Sequence, residues 1–247
     1  MEEALELAEY LPQSFASANE QAYLDFLWSA FQTNYETGRY EFASLAFHLL
    51  YMSFVSFSIW QIRLARPEQF AMAMVGFDKQ ESNLVSCKTP FDFYECLKES
   101  QIFRFLKLIG CTNQQVGEFA KFVRRRNKIA HPTGNVFFND HAAIDAEIAE
   151  MMKEVRNIEQ HMEPVISELY SRFLETSAEI EEREYTDPKD EITANLVHAS
   201  YMSSADLAFC RTFDLASFSD HDLYPEIVIL QEALVTLYPA EEAEEAA

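Results

Sequence analysis

Glycine and proline are scarce, at 5 and 8 of 247 residues. A β-sandwich or barrel draws on both for its frequent tight turns, so their rarity argues against an all-β fold and favours long unbroken helices. Cysteine is also scarce. Cys87, Cys96, Cys111 and Cys210 form no Cys-x-x-Cys pair and have no histidine at ligand spacing. A zinc site and a disulfide framework are therefore not expected, and the sequence calls for neither metal nor cofactor. Positive charge is short as well, with 19 Lys and Arg against 41 Asp and Glu, net −22. So acidic a chain does not bind nucleic acid in general, because phosphate contacts need cations. There is no Gly-rich phosphate loop and no internal repeat. The N-terminus, MEEALELAEY, is acidic where an export signal would be basic. Together with thiols suited to a reducing compartment, this predicts a cytoplasmic protein.

What is present is hydrophobic: 49% of the residues, enough to build a large core and to exclude a mainly disordered chain. Phe42–Ile62 contains no Asp, Glu, Lys or Arg and is long enough to span a bilayer. It also carries Ser44, His48, Ser53, Ser56, Ser58 and Gln61, which suit a buried core helix better than a lipid-facing one, so no membrane is expected. Charge is divided unevenly. Residues 1–135 hold 15 acidic and 13 basic residues, and residues 136–247 hold 26 and 6. The first half is thus near neutral and the second strongly acidic, as if in two functional layers.

Apolar spacing predicts an all-α, up-and-down helical bundle over residues 18–186, preceded by a leader at 1–17. An acidic helical extension at 187–240 and an acidic tail at 241–247 follow it. Helices are expected from Asn19, as a cap, to Gly38; from Tyr40 to Ala65; and from Phe91 to Ile109, with Gly110 as the stop. A further helix starts at the Thr112/Gln115 capping box, and a long run from Asp140 to Glu184 is interrupted or kinked at Pro164. Gly76–Lys88 reads as a loop and Thr186–Asp190 as a linker. Ile192–Tyr201, Ala205–Phe213 and Pro225–Tyr238 read as three short helices. The aromatic residues, 21 phenylalanines among them, are assigned to the core and a dimer surface rather than to base stacking.

Against this acidic background Lys121, Arg124, Arg125, Arg126 and Lys128 fall within eight positions, and the helix that bears them ends at His131-Pro132-Thr133-Gly134-Asn135. Val116, Phe119, Ala120, Val123, Asn127 and Ala130 recur at helical spacing, which places Asn127 on the apolar face. Pro132 disfavours helical geometry at His131, so the imidazole belongs at the helix end. Arg126, Asn127 and His131 are candidates for catalysis, and Lys121, Arg124, Arg125 and Lys128 for RNA contact. A guanidinium can hold two phosphate oxygens, and an imidazole can move protons at neutral pH. The same residues also fit a capped helix terminus with a solvated basic face. His141, His161, His198 and His221 have no partner at useful spacing and are assigned to surface or core.

The segment Arg126-Asn127-Lys128-Ile129-Ala130-His131 resembles the Arg-x4–6-His motif of the HEPN superfamily, in which the residue after the Arg is often Asn. The resemblance extends over about residues 18–180, but only the six-residue motif is specific. It implies an all-α bundle and a metal-independent endoribonuclease of toxin–antitoxin or antiviral systems. It also implies a homodimer that brings two motifs together, and an antitoxin or regulatory protein as a further partner. Many relatives paired with a nucleotidyltransferase carry a Tyr two residues after the His; here that position is Thr133, which puts such regulation in doubt. A non-catalytic HEPN-like module binding a protein or nucleotide is the alternative, and the acidity favours it. The acidic C-terminal half is expected either to restrain the site, as an RNA mimic or a docking surface, or only to keep the chain soluble.

Overall fold

The computed structural model describes residues 1–74, 81–131 and 140–240. Within them the chain is all-α. The sole β-type pairing among the described residues is an isolated bridge between Pro12 and Ser203. After a short N-terminal helix α1 (Glu2–Leu5) come α2 (Ala18–Glu36), α3 (Tyr40–Ala65) and α4 (Pro67–Met72). Two short helices follow, α5 (Phe93–Cys96) and α6 (Glu99–Ile102), then α7 (Asn113–Ala130) and α8 (His141–Ala178). Three more, α9 (Pro188–Glu191), α10 (Ser204–Arg211) and α11 (Tyr224–Leu237), complete the described chain.

Helix α3 is the centre. It packs against α2, α7 and α8, and 83% of its most apolar stretch is buried inside the protein. Its length and composition would allow a membrane span, but its sides are covered by other helices. The turn before it is made by Gly38 at φ 72°, a backbone angle that favours glycine. Helix α8, 38 residues and about 57 Å long, runs along α3. Its apolar positions at helical spacing, Ile144, Ile148, Met151, Met152, Val155, Ile158, Val165, Leu169, Phe173 and Leu174, are all buried. Pro164 does not interrupt it.

Several boundaries differ from the sequence reading. Ser17, not Asn19, caps α2, because its hydroxyl accepts from Glu20 N–H while Glu20 accepts from Ser17 N–H. The single helix expected over Phe91–Ile109 is broken. Leu97 is extended (φ −125°, ψ 148°), and the Gln101 side chain accepts from the Lys98 N–H at 2.9 Å, starting α6 afresh. The expected linker at Thr186–Asp190 is in part the start of α9, with the Asp187 carboxylate accepting from Lys189 N–H. The leader contributes Ala4, Leu7 and Leu11 to the core. Of the loop expected at 76–88, residues 76–80 lie outside the described residues and Glu81–Ser86 forms a 3-10 helix; the acidic tail at 241–247 lies wholly outside them.

The C-terminal segments pack on α8 and bury Ile192, Leu196, Met202, Leu207, Ile227, Leu230 and Leu234. Asp206 of α10 accepts from Gln61 Nε2 of α3 at 3.0 Å and from Ser203 N–H at 2.9 Å. Burial and the neighbouring Asp206 push the Glu159 carboxyl of α8 well above the usual range. Burial likewise raises Asp206. A group whose folded-state pKa is raised stabilises the fold below its unfolded value, and that contribution is lost as pH climbs through the folded value. Each unit of elevation is worth about 1.4 kcal/mol. Glu159→Gln, which resembles the protonated acid, should therefore leave stability unchanged near pH 4 and raise it at pH 8 in denaturant unfolding. Equal stability of the two proteins at pH 8 would refute the assignment.

Candidate functional site

The sequence of α7 positions the site by simple angular bookkeeping. At 100° per residue, Phe119, Phe122 and Val123 define the arc that packs inward, and all three are buried. Arg126 lies within that same arc. Lys121, Arg124, Arg125 and Lys128 lie on the opposite one. Asn127 is at the inner edge and half-buried, while Ala130, expected on the apolar face, is exposed. Thr112 and Gln115 form the expected capping box at the start. At the other end His131 takes extended geometry (φ −92°, ψ 143°), as a residue before proline should.

Arg126, Asn127 and His131 line one open cleft of about 640 Å³, together with Val123 of α7 and the segment Tyr94–Gln101. The opposite wall is thus the broken region around α6, and it supplies a residue that the sequence did not single out. Glu99, the first residue of α6, forms an ion pair through Oε2 with the Arg126 guanidinium. The same oxygen accepts from Nε2 of His48 at 3.2 Å. His48 is fully buried on α3. Burial pushes the Glu99 carboxyl up, but the hydrogen bonds from His48 and Arg126 outweigh it and hold the group below the usual carboxylate range. Among the described residues, Arg126 Nε and His48 Nδ1 are buried without a hydrogen-bond partner.

The four cations proposed for RNA contact fall into two groups. Lys121 pairs with Glu118 at 2.9 Å and Glu150 at 2.5 Å, and Arg125 pairs with Glu150 at 2.9 Å and Glu147 at 3.8 Å. Hydrogen bonds from Lys121 and Arg125 hold the Glu150 carboxyl below its usual range. Burial instead raises Glu147, which accepts from Ser44 Oγ at 3.0 Å. Arg124 and Lys128 are exposed, with no ion pair among the described residues. The acidic half therefore meets the basic island through α8. The segments after Asp187 pack on the other side, with α8, α9 and the N-terminal helices.

The remaining histidines are held by local partners. His141 contacts Asp145 and Tyr35, His161 contacts Gln115, His198 contacts Ser14, and His221 accepts within its own turn. Among the described residues no group of three or more His, Cys, Asp or Glu is placed to hold a metal ion. Thr133 and its neighbours lie outside the described residues. Fold and site together define an all-α protein with a mixed-charge Arg/Asn/His cleft at a helix C-terminus. No family model matches the chain, and no curated protein or solved structure matches it either.

Tyr51 sits between Phe103 and Phe122, with ring centroids 6.3 and 5.5 Å away, and its buried hydroxyl has no partner among the described residues. An unpaired buried hydroxyl costs about 1–3 kcal/mol. Tyr51→Phe should consequently raise the urea midpoint, and a clear loss of stability would show that the hydroxyl is satisfied.

Proposed function

We propose that this chain is a metal-independent endoribonuclease of HEPN type, a toxin or antiviral-defence effector that cleaves RNA through Arg126, Asn127 and His131. The observation that carries the reading is the convergence of these three side chains on one cleft. Cleavage requires removal of the 2′-hydroxyl proton, stabilisation of the phosphorane charge and protonation of the leaving 5′-oxygen. Arg126 is half-buried, and a partly desolvated guanidinium stabilises developing phosphoryl charge more strongly than one in water. His131 is exposed at the end of α7, within reach of an entering strand, and takes the proton-transfer role. Asn127, one turn before it, orients either group. A homodimer would supply two imidazoles, one as base and one as acid. The exposed rings of Phe26 on α2 and Phe42 on α3 suit burial against a second copy.

The second reading, a non-catalytic module that binds a regulatory protein or nucleotide, draws on the neutralisation of Lys121 and Arg125 by α8. Purified protein incubated with total RNA in EDTA separates the two. Cleavage should fall about 100-fold or more in His131→Ala, with the melting temperature unchanged because the side chain is exposed. Arg126→Ala should abolish cleavage too, at some cost in stability, since it leaves Glu99 without its cation. Cleavage retained in His131→Ala refutes the site, and no cleavage by the wild-type dimer refutes the enzyme.

The α8 carboxylates make a separate prediction. Glu150→Gln removes the carboxylate that Lys121 and Arg125 share and leaves each with its second partner, Glu118 or Glu147, so RNA affinity should rise at low salt and the gain should shrink as salt is added. Unchanged affinity at low salt would remove those two cations from the RNA surface.

A further inference from the structure

Arg126 is a cation on the inward arc of its helix, and such a group has to be met by a counter-charge. Glu99 meets it in a particular way. Its carboxylate does not belong to a local surface pair, as that of Glu118 with Lys121 does. The break at Leu97 and the Gln101 contact to Lys98 N–H restart the chain so that Glu99 opens α6. The oxygen that takes the guanidinium is the one held by His48, which is fully buried in the central helix. The row His48–Glu99–Arg126 therefore runs from the core to the cleft, crossing α3, α6 and α7. Among the described residues Arg126 Nε has no partner, and the Glu99 contact is the one that orients the guanidinium.

We infer that Glu99, anchored by His48, is the positioning residue of Arg126: it fixes the guanidinium plane where Arg126 lines the cleft. Glu99 and His48 touch no substrate and act through Arg126. The consequence for catalysis rests on the ribonuclease reading; the orientation of Arg126 does not.

The test is made on the full chain with Glu99→Gln, which keeps an acceptor oxygen, and Glu99→Ala, which keeps none. Exchange of the Arg126 Nε–H with water is followed by 15N–1H correlation and assigned by its loss in Arg126→Lys. Nε–H signals of Arg66 and Arg183, which make their own hydrogen bonds elsewhere, report on the rest of the fold. Exchange at Arg126 should accelerate about tenfold or more in Glu99→Ala and less in Glu99→Gln, with the other arginines unmoved. In the cleavage assay, kcat should fall about 100-fold in Glu99→Ala at nearly constant KM, with partial rescue in Glu99→Gln. Should Glu99→Ala fail to fold, Glu99→Gln and His48→Gln carry the same comparison. Arg126 exchange indifferent to Glu99, or faster cleavage when the carboxylate is removed, overturns the inference. A wild-type protein that cleaves nothing but shows Glu99-dependent exchange sinks the ribonuclease reading and leaves the positioning role standing.

Discussion

A helix with no charged side chain from Phe42 to Ile62 has to be covered on nearly every side, and that requirement organises the protein. Exposing it to water would cost about 25 cal/mol for every Å² of apolar surface. Helices α2, α7 and α8 therefore lie against it, and α8 must be long to do so. The C-terminal end of α3 is closed as well. Two N–H groups of Arg172 from α8 donate to the carbonyls of Leu64 and Ala65, which have no helical partner of their own.

The polar groups of the same helix then decide how its neighbours dock. Ser53, Ser56 and Ser58 are satisfied within the helix by carbonyls three or four residues back, and they specify nothing outside it. Three others reach out. Ser44 binds Glu147 on α8, His48 binds Glu99 on α6, and Gln61 binds Asp206 on α10. Apolar packing tolerates sliding, whereas an unmet buried polar atom does not. These three contacts consequently fix the register of α8, α6 and α10 on the central helix. The cleft inherits its geometry from the second of them.

The helices that carry the strongest periodic signals were legible. The bounds of α3 follow from Gly38 and Pro67, and the inward face of α8 from its apolar positions. The end of α7 follows from His131-Pro132. The break at Leu97 was not legible, because Phe91–Ile109 keeps an acceptable apolar stripe and the interruption comes from one side-chain contact to Lys98 N–H. At the site, the placement of Arg126, Asn127 and His131 together could be read because all three sit on one helix end. Glu99 could not, since nothing local distinguishes it from the other acidic residues and its role depends on a tertiary contact. His48 carried a signal that went unused: it is the single histidine in the span Phe42–Ile62, which has no Asp, Glu, Lys or Arg. Arg126 carried another, falling at i+3 and i+4 from the buried Val123 and Phe122.

That last position separates Arg126 from the other four cations on α7. Lys121 and Arg125 meet carboxylates at the surface, where water and salt screen the pairs and each contributes little. Arg124 and Lys128 face solvent. Such groups can attract a polyanion from a distance, but a hydrated, mobile cation is poorly suited to stabilising charge at one defined atom. Arg126 is the reverse. Its burial shields it from solvent, its partner is anchored in the core, and its reach is limited to the cleft. A chain with net charge −22 repels RNA at long range, so any RNA chemistry it performs must depend on short-range, oriented contacts of this kind rather than on a broad basic surface. The acidic C-terminal half is compatible with that arrangement: the segments after Asp187 pack on the side of α8 away from the cleft, and α8 itself limits the basic island to the cations it leaves unpaired.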